Sequence, residues 1–451
     1  MLKCNDCCAE FRPVPFKMSR IVLATFGSLG SVHPYLALAG RLKDRGHTVC
    51  VAAGESYRGL IQEHGLDFRP VRPDRTTVTE DPEVSRRSTE MRTGSKFAVK
   101  NLLRYAQQTY DDLLDACQNA DLFISHPAAF SAPLVAEKLK LPWLSVALAP
   151  ATLFSACDPP VLPSLPWLAQ VPRFNGFPHS LIFRAFKTAT RGWMKPIDEL
   201  RERVGLPANA KHPFFEGMFS PFGTLALFSN ILAARQPDWP TNTTATGFLF
   251  YRCSSAKKNA EVDAFLEKGA APVIFTLGSN VVREAGTFYQ DSYRAARQIG
   301  CRAIFLAGDN AMVRDADEPP GQILVTKYAP YHTVFPRATA VVHQGGIGTT
   351  AEAMASGLPM LIVPHVHDQP DNAFRARKLG IAREEARAKY CAETAAQHLK
   401  ALLNQPQYKN SAKSVQDQMR TEDGVSTACA AIETLLKRTA PRTSRHETFH
   451  G

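Results

Sequence analysis

No apolar run in this 451-residue chain approaches the roughly 20 residues needed to cross a bilayer, so no membrane-spanning segment is expected. The N-terminus, MLKCNDCCAEFRPVPFK, has charges and cysteines where a secretory leader needs an apolar core. A cytoplasmic location is the expectation, with Met18 an alternative start just ahead of the first strand. Paired cysteines are also lacking: Cys50, Cys117, Cys301 and Cys429 each stand singly in apolar segments, which reads as reduced core thiols. Cys4, Cys7 and Cys8 cluster without the second pair that a four-ligand zinc site needs. Aromatic-basic interleaving is absent, so nucleic acid is not an expected partner. The net charge of +11, from 53 basic and 42 acidic residues, favours anionic ligands and leaves peripheral membrane association open. After the first strand GxGxxG is missing, Gly27 and Gly30 being spaced GxxG, which argues against a nicotinamide dehydrogenase.

What is present is a repeated alternation of short apolar strands and amphipathic helices, at a length that suits two domains of about 200 residues. In the first half, residues 21–25 and 48–53 read as strands around a helix over 34–45 ended by Gly46, with later strands at 122–125 and 143–147. Residues 74–100 are polar and read as a long loop. A second strand-helix series opens at 273–277 and continues through 302–307, 323–325, 340–342 and 360–363. The expected plan is a disordered extension over 1–18, a domain over 19–240, a linker over 241–262, a second domain over 263–435 and a basic tail over 436–451. The final helix is expected to cross back onto the first half.

The densest chemistry lies in residues 341–372, VVHQGGIGTTAEAMASGLPMLIVPHVHDQPDN. His343 ends a strand, Gly345, Gly346 and Gly348 let the backbone turn tightly, and Thr349 opens a helix whose free N-H groups face the loop, with Gly357 closing it. Together they form a site suited to a diphosphate, since an imidazole, backbone amides and a helix dipole all favour negative charge. The run at 360–363 then delivers His365, His367, Asp368 and Gln369 to the C-terminal edge of the sheet, where open α/β folds bind ligands.

On this HxGGxGT stretch with DQxDN downstream, the chain resembles the inverting, nucleotide-sugar-dependent glycosyltransferases of the GT-B fold, which act on macrolides, sterols and plant secondary metabolites. Gln236-Pro237-Asp238-Trp239-Pro240, Thr246-Gly247-Phe248 and Tyr328-Ala329-Pro330 extend the likeness, which is closest to the rhamnosyltransferase catalytic subunit of rhamnolipid synthesis. The resemblance implies two Rossmann-like α/β domains facing across a cleft and a UDP- or dTDP-sugar donor, with a lipophilic hydroxylated acceptor. It further implies that Ser279 joins His343 on the diphosphate, that Tyr328 stacks on the base, that Glu352 holds the ribose hydroxyls, and that Asp368 and Gln369 hold the sugar. No cofactor and no metal are expected. A DxD pair does occur at Asp315 and Asp317, but outside the candidate loops.

One position departs from the pattern. Residues 27–34, GSLGSVHP, match the family's first loop, where relatives carry an Asp or His that deprotonates the acceptor; here Ser31 stands there. A serine hydroxyl is too weak an acid-base group to act alone, so His33, with an ordinary pKa of about 6.5, is the expected base, and Ser31 orients water or acceptor. Pro34 at the first helical position would leave both side chains in a loop. His126, after the strand at 122–125, is a second candidate. Phe154, Pro159, Pro160, Leu165, Trp167, Phe174 and Phe177 form an apolar insert that suits a lipophilic acceptor. A non-catalytic nucleotide-sugar-binding partner and a sugar-nucleotide epimerase stand as the alternative readings.

Overall fold

The computed structural model describes residues 18–74, 81–165, 168, 171, 176–252, 259–310, 312 and 314–439. Two wholly parallel sheets organise them. Strands β1 (Arg20–Ala24), β2 (Thr48–Ala53), β3 (Asp67–Pro70), β4 (Leu122–Ser125), β5 (Trp143–Ala147), β6 (Thr224–Ala226) and β7 (Thr243–Ala245) run in the order β3-β2-β1-β4-β5-β6-β7. Strands β8 (Val273–Thr276), β9 (Ala303–Leu306), β10 (Ile323–Thr326), β11 (Ala340–His343), β12 (Met360–Ile362) and β13 (Ala382–Glu384) run in the order β10-β9-β8-β11-β12-β13. The second sheet thus repeats the winding of the first. Both reverse direction at their first strand, so each has a switch-point crevice, between β1 and β4 and between β8 and β11. Every residue of β4, β5, β8, β9 and β11 is buried, as expected where helices cover both faces of a parallel sheet.

Three expectations need correction. The segment expected as a linker begins with a strand: Thr243–Ala245 pairs with β6, its threonines being β-branched and therefore at ease in a pleat despite their polarity. The segment expected as a loop at 74–100 holds helices Pro82–Ser88 and Gly94–Leu103. The first of these was signalled by Asp81-Pro82, since the Asp81 carboxylate caps the Glu83 amide at 2.9 Å and Pro82 occupies the first helical turn. The first cleft helix starts at Leu29, five residues before Pro34, which lies inside it. Gly27, at φ +96, turns the chain early enough for Ser28 to become the N-cap.

The last helix, Gly424–Thr439, crosses back onto helix Leu29–Asp44, where Cys429, Ile432 and Leu435 complete the first core and Glu433 pairs with Arg45 at 3.0 Å. Further contacts tie the halves together. Arg375 bridges Asp371 at 2.8 Å and Asp158, while the Val161 amide donates to Asp371. Ser85 donates to Glu284 at 2.8 Å. No helix among the described residues is long and apolar enough to cross a membrane. Cys4, Cys7 and Cys8, Trp167, Phe174 and the tail from residue 440 lie outside the described residues.

Candidate functional site

His343 is fully buried at the end of β11, and its Nδ1 accepts the Gly345 N-H at 3.0 Å. In the neutral ring the proton must then sit on Nε2, and this N-H has no partner among the described residues. Burial holds the imidazole neutral by pushing its pKa down to about 3. An orphaned buried donor costs about 1–3 kcal/mol, which a ligand oxygen would return. The loop beneath it admits only glycine at position 345: φ is +87, and a Cβ would stand 2.8 Å from Ile362 Cγ2 and 3.0 Å from the Gln369 carbonyl. Helix Ile347–Ala355 then begins, with Gly346 as N-cap.

The loop after β8 interlocks with this one. A Cβ on Gly278 would meet Gln344 Nε2 at 2.6 Å, and one on Gly346 would meet the same atom at 2.8 Å, so both backbones pack on the Gln344 amide. Ser279, half-buried, follows in the short helix Gly278–Val281, across from the glycine loop. The Thr349 hydroxyl faces inward to the buried Tyr331 phenol, which Thr276 also meets at 3.0 Å, so Thr349 braces the helix start from below. Tyr328 is 59% exposed, which removes core packing as the reason for an aromatic there. Glu352 projects from the same helix as the glycine loop's first turn and is held by Arg252 at 2.5 Å.

On the sugar side, Asp368 stands at the N-cap position of helix Gln369–Lys378 without capping it, and its carboxylate accepts the Asn372 amide at 2.7 Å. Asn372 also donates to the Gly345 carbonyl at 2.9 Å, tying the carboxylate to the glycine loop. Desolvation raises the Asp368 pKa to about 6. Gln369 is engaged at one end: its Oε1 accepts the His365 and Val366 amides at 2.8 and 3.0 Å, which leaves Nε2 as the end that can reach a ligand. His365 donates from Nδ1 to the Val363 carbonyl, and its buried Nε2 has no partner among the described residues. His367 adopts φ +60 and meets Ser95 of the first half at 3.0 Å, a strained backbone held by a contact across the cleft.

The acceptor side differs from its sequence reading. Ser31 and His33 lie in the opening turns of helix Leu29–Asp44, two residues and about 200° apart, so His33 does not take over the direction of Ser31. Gly30 comes within 3.7 Å of the space a Gly348 Cβ would fill, and His33, three residues on, shares that side of the helix. The His33 ring stacks on Tyr251 at 4.7 Å. Tyr251 is fixed in turn: His64 gives its Nδ1 proton to the Leu60 carbonyl, so its Nε2 accepts the Tyr251 hydroxyl at 2.6 Å. Burial, with the nearby His64, lowers the His33 pKa to about 4. His126 is a poor base, because its Nδ1 lone pair is taken by the Ala128 N-H at 3.0 Å and burial pushes its pKa down to about 3.

Of the apolar insert, Phe154 packs among Phe183, Phe214 and Phe215, whereas Phe177 is 57% exposed. Asp315 and Asp317 both pair with Arg297, which accounts for the DxD spacing. Sequence reasoning missed Asn372, Arg252, Tyr251 and His64. Asn372 was legible, lying four residues after Asp368 at a helix start. The other three act through contacts 100 to 187 residues apart in sequence.

Comparison with known proteins bears on this geometry. The glycosyltransferase family 28 N-terminal domain matches residues 21–157, and the erythromycin biosynthesis protein CIII-like C-terminal domain matches residues 302–432. An O-mycaminosyltylonolide 6-deoxyallosyltransferase from Streptomyces fradiae is 32% identical over 92% of this chain and 97% of its own. A sterol 3-beta-glucosyltransferase from Leptosphaeria maculans is 27% identical over 80% of this chain, which spans only 25% of that longer protein. Among solved structures, the kitacinnamycin glycotransferase aligns over 94% of this chain and 100% of its own at TM-score 0.67 and 21% identity. The spinosyn forosaminyltransferase aligns over 93% and 100% at TM-score 0.68 and 16% identity. The nearer likeness to rhamnolipid rhamnosyltransferases rests on the motifs alone. With two parallel α/β domains, a family model matched in each and one relative alike along nearly its whole length, the chain belongs to the GT-B glycosyltransferases.

Proposed function

We propose that the protein transfers a hexose, glucose- or rhamnose-like, from a UDP- or dTDP-sugar to a hydroxyl of a lipophilic small molecule, with inversion. The observation that carries this reading is the buried, unpartnered Nε2-H of His343 beside a glycine loop and a helix N-terminus. Structural neighbours in complex with thymidine diphosphate support the nucleotide class. The diphosphate lies on His343, the backbone of Gly345, Gly346, Gly348 and Thr349, and Ser279; the base lies on Tyr328, the ribose on Glu352, and the sugar on Asp368 and Gln369. The acceptor oxygen attacks the anomeric carbon as the bond to the diphosphate oxygen breaks, and the nucleoside diphosphate leaves with the electron pair. The acceptor proton passes to His33, which is neutral at pH 7. Its low pKa makes it a weak base, so transfer falls late, when the attacking hydroxyl has become acidic. His343 and the helix amides stabilise the departing charge, and no step calls on a metal.

Thermal stabilisation by UDP and dTDP tests the donor site without knowledge of the acceptor. A nucleotide at a hundredfold its Kd adds about 2.7 kcal/mol of apparent stability. The expected result is a rise in Tm with one nucleotide that His343→Ala abolishes; no rise with either would reject the reading.

The weak base keeps the alternative of an impaired nucleotide-sugar-binding partner in play, and Ser31→Asp separates the two. An acid in the first turn suits a helix N-terminus, so the variant should fold. A large gain in transfer identifies a crippled site, and a loss shows that the serine belongs to a working one.

A further inference from the structure

Helix Gly94–Leu103 carries its cations in an unusual place. Arg92, Lys96, Lys100 and Arg104 recur every fourth residue and are all exposed, Lys96 and Lys100 within the helix and Arg92 and Arg104 flanking its two ends. Among the described residues none forms an ion pair, and the Lys96 ammonium stands over the Trp193 ring at 5.3 Å. Like charges four residues apart repel, and cations near the first turn oppose the positive end of the helix dipole. The helix has no acidic residue to offset either effect. The preceding helix shows the ordinary solution, with Arg86 neutralised by Glu83 and Glu90. The stripe is therefore paid for in helix stability.

Its position indicates what it serves. Gly94 packs so closely that a Cβ would stand 3.0 Å from Val366 Cγ2, and Ser95 meets His367, the neighbour of Asp368. The N-terminal end of this helix thus lies at the sugar edge of the cleft, with the cations on its outward side. We propose that Arg92, Lys96, Lys100 and Arg104 form an electrostatic guide that draws the anionic nucleoside diphosphate of the donor into the cleft; this rests on the donor reading above. The groups act at a distance, by raising the local concentration of the anion, and touch neither reacting atom nor bound nucleotide.

The test is stopped-flow binding of dTDP and UDP to the full chain and to a variant with Arg92→Gln, Lys96→Gln, Lys100→Gln and Arg104→Gln. A control removes four exposed cations elsewhere, by Lys268→Gln, Lys378→Gln, Lys400→Gln and Lys409→Gln, so that total charge is matched. At about 20 mM salt the stripe variant should associate roughly three- to tenfold more slowly, with dissociation unchanged and the control much less affected. At about 500 mM salt the difference should vanish, because the Debye length shrinks to a few ångströms. Equal association rates at low salt, an equal loss in the control, or a deficit that salt does not erase would each overturn the guide. If the stripe variant keeps its nucleotide rates but loses binding to phosphatidylglycerol vesicles, the stripe is a membrane contact and the guide is wrong. Failure of the unaltered chain to bind either nucleotide rejects the donor reading itself, a separate result. The variant's Tm should be equal or higher; a marked fall would place the cations in the fold.

Discussion

A carboxylate and an imidazole that border the same glycine loop are tuned in opposite directions for one reason. Desolvation disfavours charge, lowering His343 to a pKa of about 3 and raising Asp368 to about 6. His343 is thereby fixed as a neutral donor, while Asp368 ionises just below neutral pH. Sugar hydroxyls donate best to the ionised carboxylate, so recognition of the sugar should strengthen as pH rises through about 6. Binding of the bare nucleotide should not. Asp368→Asn should weaken dTDP-glucose or UDP-glucose about 10- to 100-fold, the worth of a hydrogen bond to a charged group, and abolish that pH dependence. Calorimetry at pH 5.2 and 7.5, with the sugar nucleotide and with the nucleotide alone, checks both statements. Equal losses for the two ligands would move Asp368 from recognition to support of the loop.

At the scale of elements, the glycine loop shows what a turn of this kind tolerates. Gly46 and Gly345 have similar backbones, at φ +90 and +87, but a Cβ on Gly46 meets nothing within 4 Å whereas one on Gly345 strikes Ile362 and Gln369. Gly46→Ala should therefore cost only the left-handed penalty, about 1–2 kcal/mol. Gly345→Ala should add overpacking for a total of about 2–4 kcal/mol and should lose nucleotide binding as well, read by urea titration and thermal shift. A similar cost for both variants would show that contacts contribute nothing at Gly345. This loop was legible in the sequence because strand, glycines and helix are contiguous there. The start of helix Leu29–Asp44 was not, since a proline inside a helix looks like a proline at its start, and the turn at Gly27 decided between them. Thr243–Ala245 was hidden for a different reason: its strand character comes from pairing with β6, a partner that the three residues themselves do not announce. The Tyr251–His64 clamp on His33 joins residues 187 apart, which one-dimensional spacing cannot reveal.

Across the whole molecule, the cleft concentrates histidines that folding keeps neutral, and this sets the response to acid. Burial lowers His126 and His343 to about 3, and His33, His365 and His367 to about 4. In the unfolded chain each takes a proton near pH 6.5. Between that value and about 4 the unfolded state therefore binds more protons, and stability falls as pH falls, by up to about 1.4 kcal/mol per unit for each ring. Asp368 works the other way: its folded pKa is raised, so below about 6 the folded state holds the extra proton and gains stability. Burial also raises Asp371, Glu384 and Glu422, and their offset likewise acts toward the acid end. The net loss is therefore steepest just below pH 6.5, where the rings of the unfolded chain take up protons before the raised carboxylates begin to offset them. Urea midpoints at pH 7.0, 6.0 and 5.0 should fall in that sequence with an unchanged m-value. His126→Gln should remove about one proton's share of the slope, since His126 lies in the first domain and outside the nucleotide site. A flat midpoint across this range would mean that the rings take up protons in the folded state, and would undercut the neutral imidazole on which the donor site depends.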